Sequence, residues 1–262
     1  YRKFKTADGV RNSVSLINRA APYCLFDPQL IALQEDYCRQ LWEHVNPYTG
    51  LAYKDDPAVA MCEISNENDL FVDTAGRRKD YVEPTYYTNE FRQMFKAWLE
   101  EEGIDYDWEH CHLYAEDEPL LKFKYITMKK YNQEMYDHMR SIGVKIPITG
   151  TNWLHNSHAN TIAEKNMDFS DGHHYYYDWR WGEEDKFCAN AQINGYKQIM
   201  ANLGTMRLNN MPYFVSEWDM PWPNSYRAEG SIYYAAVGCL QGWTGYTIHT
   251  YAYSSNLNTH MP

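Results

Sequence analysis

The sequence predicts an α/β protein with parallel strands, and three observations lead to that expectation. Short apolar runs that end abruptly in polar residues recur at 58–65, 145–151, 169–175, 212–216 and 245–251. Helix-period patterns separate them, the alternation that joins parallel strands through crossover helices. The first run, rich in Ala, Val, Met and Ile, lies between Pro57 and the polar stretch Ser65 to Asp69. Such a run suits a strand covered on both faces, in a barrel or a doubly wound sheet.

The elements follow in order. Residues 1–28, with Gly9, Pro22 and Pro28, read as a long loop. Asp27 is a candidate N-cap with Pro28 at the first helical position, and Leu30, Leu33, Tyr37, Leu41 and Val45 keep helical spacing until Asn46-Pro47. After the 58–65 strand, a helix over 85–102 presents Phe91, Met94, Phe95, Trp98 and Leu99 and stops at Gly103. A longer one over 120–142 presents Phe123, Ile126, Tyr131, Met135 and Met139 and stops at Gly143. Strands at 145–151 and 169–175, a helix around 190–208, a strand at 212–216, a helix at 227–242 and a strand at 245–251 complete the series. With no short repeat or low-complexity linker, residues 1–262 read as one domain.

The composition bounds the partners. A chain of 262 residues can bury a sizeable core. Its formal charge of -11 argues against nucleic acid and anionic membranes, which call for a basic surface. Aromatics make up 16% of the residues, with 24 Tyr and 9 Trp, and such rings can stack on the C–H faces of sugars. The six cysteines form no CxxC pair; Cys62 and Cys239 lie in apolar runs and read as small buried hydrophobes. No apolar run reaches the roughly 18 residues that span a membrane. The polar start Tyr1-Arg2-Lys3-Phe4-Lys5 is not a signal peptide and suggests a piece of a longer precursor.

Two strand ends carry chemistry. Asn66-Glu67 closes the first strand, and Glu217 closes the run Met211-Pro212-Tyr213-Phe214-Val215-Ser216. In an α/β barrel the strands' carboxyl ends converge on one pocket, and paired carboxylates are what cleavage of a glycosidic bond needs. Glu63, four residues before Glu67, shares its face by strand alternation and is expected deeper inside, paired with a base. Alternation also puts His173 and Tyr175 on one face, with His174 and Tyr176 on the other. Trp153, Trp179, Trp181, Trp218 and Trp222 fall in loops after strands, where sugar platforms would sit.

Asn66-Glu67, the later Glu217 and the aromatic strand ends resemble the retaining glycoside hydrolases of clan A, the cellulase, mannanase and β-galactosidase superfamily. Residues 46–50, 55–60 and 223–229 look like a cellulase-like bacterial branch. The resemblance implies a (β/α)8 TIM barrel of which this sequence covers strands four to eight, a partial barrel without the strand-two Arg that steadies the nucleophile. It implies Glu67 as general acid/base, Glu217 as nucleophile, Asn66 on the sugar 2-hydroxyl, and His173 and Tyr175 beside the nucleophile. Trp153, Trp218, Trp222 and Tyr251 would complete the sugar site, although His249 and Tyr251 stand where many members carry a Trp. The implied substrate is a β-linked plant or algal polysaccharide, and a polymer substrate implies a secreted or periplasmic enzyme. Proton transfer needs Glu217 ionised and Glu67 protonated, giving a bell-shaped rate profile.

Open sheet edges would favour a homo-oligomer. No metal or cofactor is expected. Histidines 110, 112, 155, 158, 173 and 174, with Asp171, offer ligand types, but none of the pairs has a carboxylate at motif spacing, so a metal-dependent hydrolase is the weaker reading. A non-catalytic carbohydrate-binding remnant of the barrel is the other alternative.

Overall fold

A computed structural model describes residues 22–71, 85–110, 117–152, 158–176, 199–220 and 226–250. Helix α1 (Pro28–Trp42) starts where Asp27 Oδ1 accepts the Leu30 amide at 2.8 Å, and it buries Leu30 and Ile31. It ends short of Val45, which instead forms an isolated bridge with Ala52. Strand β1 (Cys62–Ser65) is shorter than the apolar run and only half-buried. Its upstream residues are held in a turn by the Val59 amide on Asp56 O at 3.1 Å, so apolar composition there does not translate into strand.

Helices α2 (Thr85–Glu102) and α3 (Glu118–Ser141) follow, each released by a glycine in the left-handed region: Gly103 at φ 68° and Gly143 at φ 98°. They meet through Phe123, whose ring centroid lies 5.2 Å from both Phe91 and Phe95. Strand β2 (Ile148–Thr151) pairs parallel with β1, setting Glu63 opposite Thr149 and Ser65 opposite Thr151. A short helix α4 (His158–Ala163), which the hydropathy pattern did not anticipate, leads to β3 (Ser170–Tyr175). Then come α5 (Ile199–Thr205), β4 (Tyr213–Asp219), α6 (Arg227–Gln241) and β5 (Gly245–Ile248).

Strands β3, β4 and β5 form one parallel sheet. The amides of Asp168 and His173 reach Ile148 O (3.0 Å) and Asn152 O (3.1 Å), which lays β2 beside β3. All five described strands therefore run parallel in chain order, and their carboxyl ends share one rim. One apolar cluster packs α1, α2 and α3 together, and a second packs β4 against α5 and α6.

Strand β4 departs from simple alternation. Tyr213 and Val215 face the helices, buried completely, but so do Trp218 and Met220. The register shifts against both neighbours, between Asp171 and His173 on β3 and between Val215 and Trp218 on β4 itself. An extra residue at Ser216-Glu217 turns Glu217 to the side that Ser216 occupies.

Among the described cysteines, Cys24, Cys38, Cys62 and Cys239 are free. Cys62 packs half-buried near Ile148, but Cys239 is exposed on α6, contrary to the buried hydrophobe that its apolar neighbours suggest. Among the described residues no helix is long and apolar enough to cross a membrane.

Candidate active site

At the carboxyl rim, the chain leaving β1 turns sharply: Glu67 sits at φ 48°, left-handed backbone that a non-glycine residue adopts only when held there. Asn152, just past β2 and fully buried, does the holding. Its Oδ1 accepts the Glu67 amide at 2.8 Å, while Nδ2 donates to Asn66 Oδ1 at 3.0 Å and to Glu63 Oε2. One amide side chain thus fixes three residues of the first strand's end.

His173 on β3 lies at the centre. Its Nδ1 is 3.0 Å from Glu67 Oε1 and 3.6 Å from Glu217 Oε2, and its Nε2 is 2.8 Å from Ser216 Oγ. Tyr175, two residues on, donates its hydroxyl to Glu217 Oε2. His249 at the end of β5 brings Nδ1 to 4.0 Å from the same oxygen. Ligand atoms of Glu67, His173 and Glu217 all fall within 4.8 Å of one another. His174 and Tyr176 point to the opposite side, His174 towards Asn202 Nδ2 at 3.1 Å and Tyr176 into the core. Strand β3 keeps the period of two that β4 breaks.

The interior below is acidic. Burial pushes the Glu63 carboxyl up to about 7; the Asp171 charge adds to this, and His173 and the Asn152 hydrogen bond oppose it. Asp171, 2% exposed, is raised by burial against hydrogen bonds from Ser216 and Gly172. Glu63 accepts a hydrogen bond from Asn152, and the base that lies near it is the imidazole of His173. For His173, burial works against the charge, but the Glu67 hydrogen bond and the charges of Glu217, Asp171 and Glu67 outweigh it and raise its pKa.

The sequence-predicted site residues separate into three groups. Asn66, Glu67, His173, Tyr175 and Glu217 come together at one rim. Trp153, Trp222 and Tyr251, with Trp179 and Trp181, lie outside the described residues. Trp218 is a correction: it is 2% exposed, stacked on Tyr234 with centroids 3.7 Å apart, and has no face left for a sugar. The bulge that turns Glu217 inwards turns Trp218 into the core. Asn152 and Ser216 belong to the site and were not anticipated, and Asp171, which the sequence offered only as a metal-ligand type, belongs to it as well. Asn152 ends a strand just as Asn66-Glu67 does, which is the one signal that could have marked it.

Among the described residues, two side-chain groups have ligand atoms close enough for a cation: Glu63, Asp171 and His173, and Glu67, His173 and Glu217. Both need His173, whose nitrogens already meet Glu67 and Ser216. Of the other histidines, His110 pairs with exposed Asp107, and His112 and His155 lie outside the described residues. Ser216, His173 and Glu67 also have the connectivity of a serine-hydrolase triad. The Ser216 amide, however, donates to Asp171 Oδ1 at 2.9 Å and so is not free to stabilise an oxyanion. Two carboxylates within reach of one another, steadied by a tyrosine and a histidine, remain the group best disposed for chemistry.

No family model and no curated protein matches the sequence. Solved structures do match in fold. An endo-1,4-β-D-mannanase from Thermotoga petrophila RKU-1 aligns at 14% identity with a TM-score of 0.52, over 92% of this chain and 57% of its own. A second structure of an endo-β-1,4-mannanase from Thermotoga petrophila aligns at 13% and 0.51, over 92% of this chain and 43% of its own. The endo-1,4-β-mannanase of Rhizomucor miehei aligns at 12% and 0.52, over 90% and 57%. The chain therefore spans 43–57% of the length of these structures and shares their fold over that span.

Proposed function

We propose that this chain is the catalytic portion of a retaining β-glycosidase, its strands corresponding to the fourth to eighth of a (β/α)8 barrel. The observation that carries the reading is the convergence of Glu67 and Glu217, which with His173 place ligand atoms within 4.8 Å of one another. Retaining enzymes hold their carboxyl groups about 5 Å apart, whereas inverting ones leave room for a water at roughly 6.5–9.5 Å. The mannanase-like fold is compatible with it.

In this reading the mechanism is a double displacement. Glu217 attacks the anomeric carbon as the glycosidic C–O bond breaks, and Glu67 gives its proton to the leaving oxygen. Water then attacks the glycosyl-enzyme ester, gives a proton to Glu67, and releases the Glu217 carboxylate. The Tyr175 hydroxyl orients Glu217 through its Oε2. Asn66, fixed by Asn152, takes the sugar 2-hydroxyl in this reading. The substrate is a β-linked plant or algal polysaccharide or its oligosaccharides, and a polymer of that size places the enzyme outside the cytoplasm.

The test is hydrolysis of β-glucan, β-mannan, xylan and aryl β-glycosides by the parent, Glu67→Ala and Glu217→Ala. Activity should fall at least about 10³-fold in both variants. Azide should rescue Glu217→Ala with an inverted glycosyl azide, and Glu67→Ala with a retained one. A folded parent inert on every substrate, yet binding sugar equally well as Glu217→Gln, would replace this reading with a carbohydrate-binding remnant. Activity lost on chelation would favour a metal-dependent hydrolase instead.

A further inference from the structure

The described strands form two separate sheets, β1-β2 and β3-β4-β5, and the division parts the two glutamates. Glu67, with Asn66 and the Asn152 that holds them, belongs to the first sheet; His173, Tyr175 and Glu217 belong to the second. Backbone bonds join β2 to β3 from the Asp168 amide to Ile148 O at 3.0 Å and from the His173 amide to Asn152 O at 3.1 Å. Between them the Gly150 amide donates to a side chain, Glu164 Oε2, at 2.7 Å. The other carboxyl oxygen, Oε1, accepts Asn132 Nδ2 of α3 at 2.8 Å and the Thr151 amide at 3.3 Å. Glu164 follows α4 in the crossover from β2 to β3 and is completely buried. Only glycine at 150 permits this approach, because a Cβ there would collide with both carboxyl oxygens. A carboxyl shut off from water is costly to keep, and this one has no part in the double displacement.

We propose that Glu164 is a positioning residue whose carboxyl closes the seam between β2 and β3 and so sets where Glu67 stands against Glu217. Gly150 lies just before Thr151 and Asn152, so a carboxyl anchored to Asn132 on α3 and gripping the Gly150 amide fixes the end of β2. Asn152 passes that placement on: its Oδ1 holds the Glu67 amide at 2.8 Å, and its carbonyl accepts from the His173 amide of the second sheet. In this role the reach of the side chain matters, not its charge. Glutamine has the same reach. Its oxygen takes the Gly150 amide, and its NH2 meets Asn132 once that side chain turns over to present Oδ1, which has no partner in the structure. Aspartate is one methylene short. The consequence for catalysis rests on the glycosidase reading; the closure of the seam does not.

The experiment compares Glu164→Ala, Glu164→Asp and Glu164→Gln with the parent, folding being checked by thermal melting; if the alanine variant does not fold, the aspartate variant is read in its place. Amide hydrogen exchange is followed by NMR at Gly150, His173 and Val215, and kcat/KM is measured on phenyl and dinitrophenyl β-glycosides of the best sugar in the panel. In Glu164→Ala and Glu164→Asp the Gly150 and His173 amides should exchange at least about tenfold faster, while Val215, inside the second sheet, keeps its rate. On the phenyl glycoside kcat/KM should fall about 10²-fold, the cost of misplacing a reacting group by an ångström. On the dinitrophenyl glycoside it should stay parental, because that group departs without a proton from Glu67. Glu164→Gln should keep parental values throughout. Unchanged exchange at Gly150 and His173 in a folded variant overturns the proposal, as does an equal rise at Val215, which marks a general loss of stability. An equal fall of kcat/KM on both glycosides also overturns it, and so does a glutamine variant as impaired as the alanine one. If the amides respond but the parent hydrolyses no glycoside, the glycosidase reading fails and the closure of the seam by Glu164 is supported.

Discussion

At the scale of the residue, neighbours in sequence take unrelated roles. Glu217 reaches the rim and accepts from Tyr175, while Trp218 stacks on Tyr234 in the core. Truncation of a buried aromatic removes transfer free energy and leaves a cavity, together about 3–5 kcal/mol. Trp218→Ala is therefore expected to lower Tm by roughly 10 °C, since each kcal/mol shifts a chain of this size by about 2–4 °C. Thermal melts measure this directly; an unchanged Tm with a raised KM would return Trp218 to the sugar site. Asn152 shows the converse, a residue of unremarkable type whose single amide holds Glu63, Asn66 and Glu67 in place.

At the scale of the element, β3 and β4 show how close packing directs the site. Gly172 lies where a Cβ would meet Tyr213 Oη at 2.5 Å and Met206 Sδ at 2.7 Å, and both neighbours are completely buried. Overpacking of this kind costs about 1–3 kcal/mol. Gly172→Ala should thus lower stability by that amount in chemical denaturation, and the two residues flanking it in the site, Asp171 and His173, should shift with the strand. A variant as stable as the parent would show that Tyr213 or Met206 yields freely. The bulge on β4 has the opposite effect to a clash: it adds a residue, rotates the strand end, and brings Ser216 and Glu217 to the same side.

At the scale of the whole molecule, buried acids give stability a pH dependence of one sign. Burial pushes Glu164 up to about 8 against the donors Gly150 N, Asn132 Nδ2 and Thr151 N, and Glu63 up to about 7. Asp171, Asp219 and His173 are raised as well. Each binds its proton more tightly in the folded than in the unfolded chain, so its contribution is complete below the unfolded pKa and is lost as pH rises through the folded one. For Glu63 and Glu164 that window runs from about 4.5 to 7 and 8. The fold should therefore melt higher at pH 5 than at pH 8.5, by at least about 4 °C. Glu164→Gln should flatten the dependence; an equally steep profile in that variant would remove Glu164 as a cause.

The sequence by itself determined the alternation of strands and helices, the Asp27 cap, the glycine stops at 103 and 143, and the two glutamates at strand ends. These are local: apolar period, capping chemistry and left-handed glycines act within a few residues. The sharing of a face by His173 and Tyr175 was legible for the same reason, because β3 keeps its period. Only the tertiary structure decided that β4 carries an extra residue, which reversed the reading of Trp218, and that Asn152, Ser216 and Asp171 support the glutamates. A bulge is fixed by pairing with strands on both sides, and a buried hydrogen bond by groups some 40 to 90 positions apart in the chain. No periodicity along one strand encodes either.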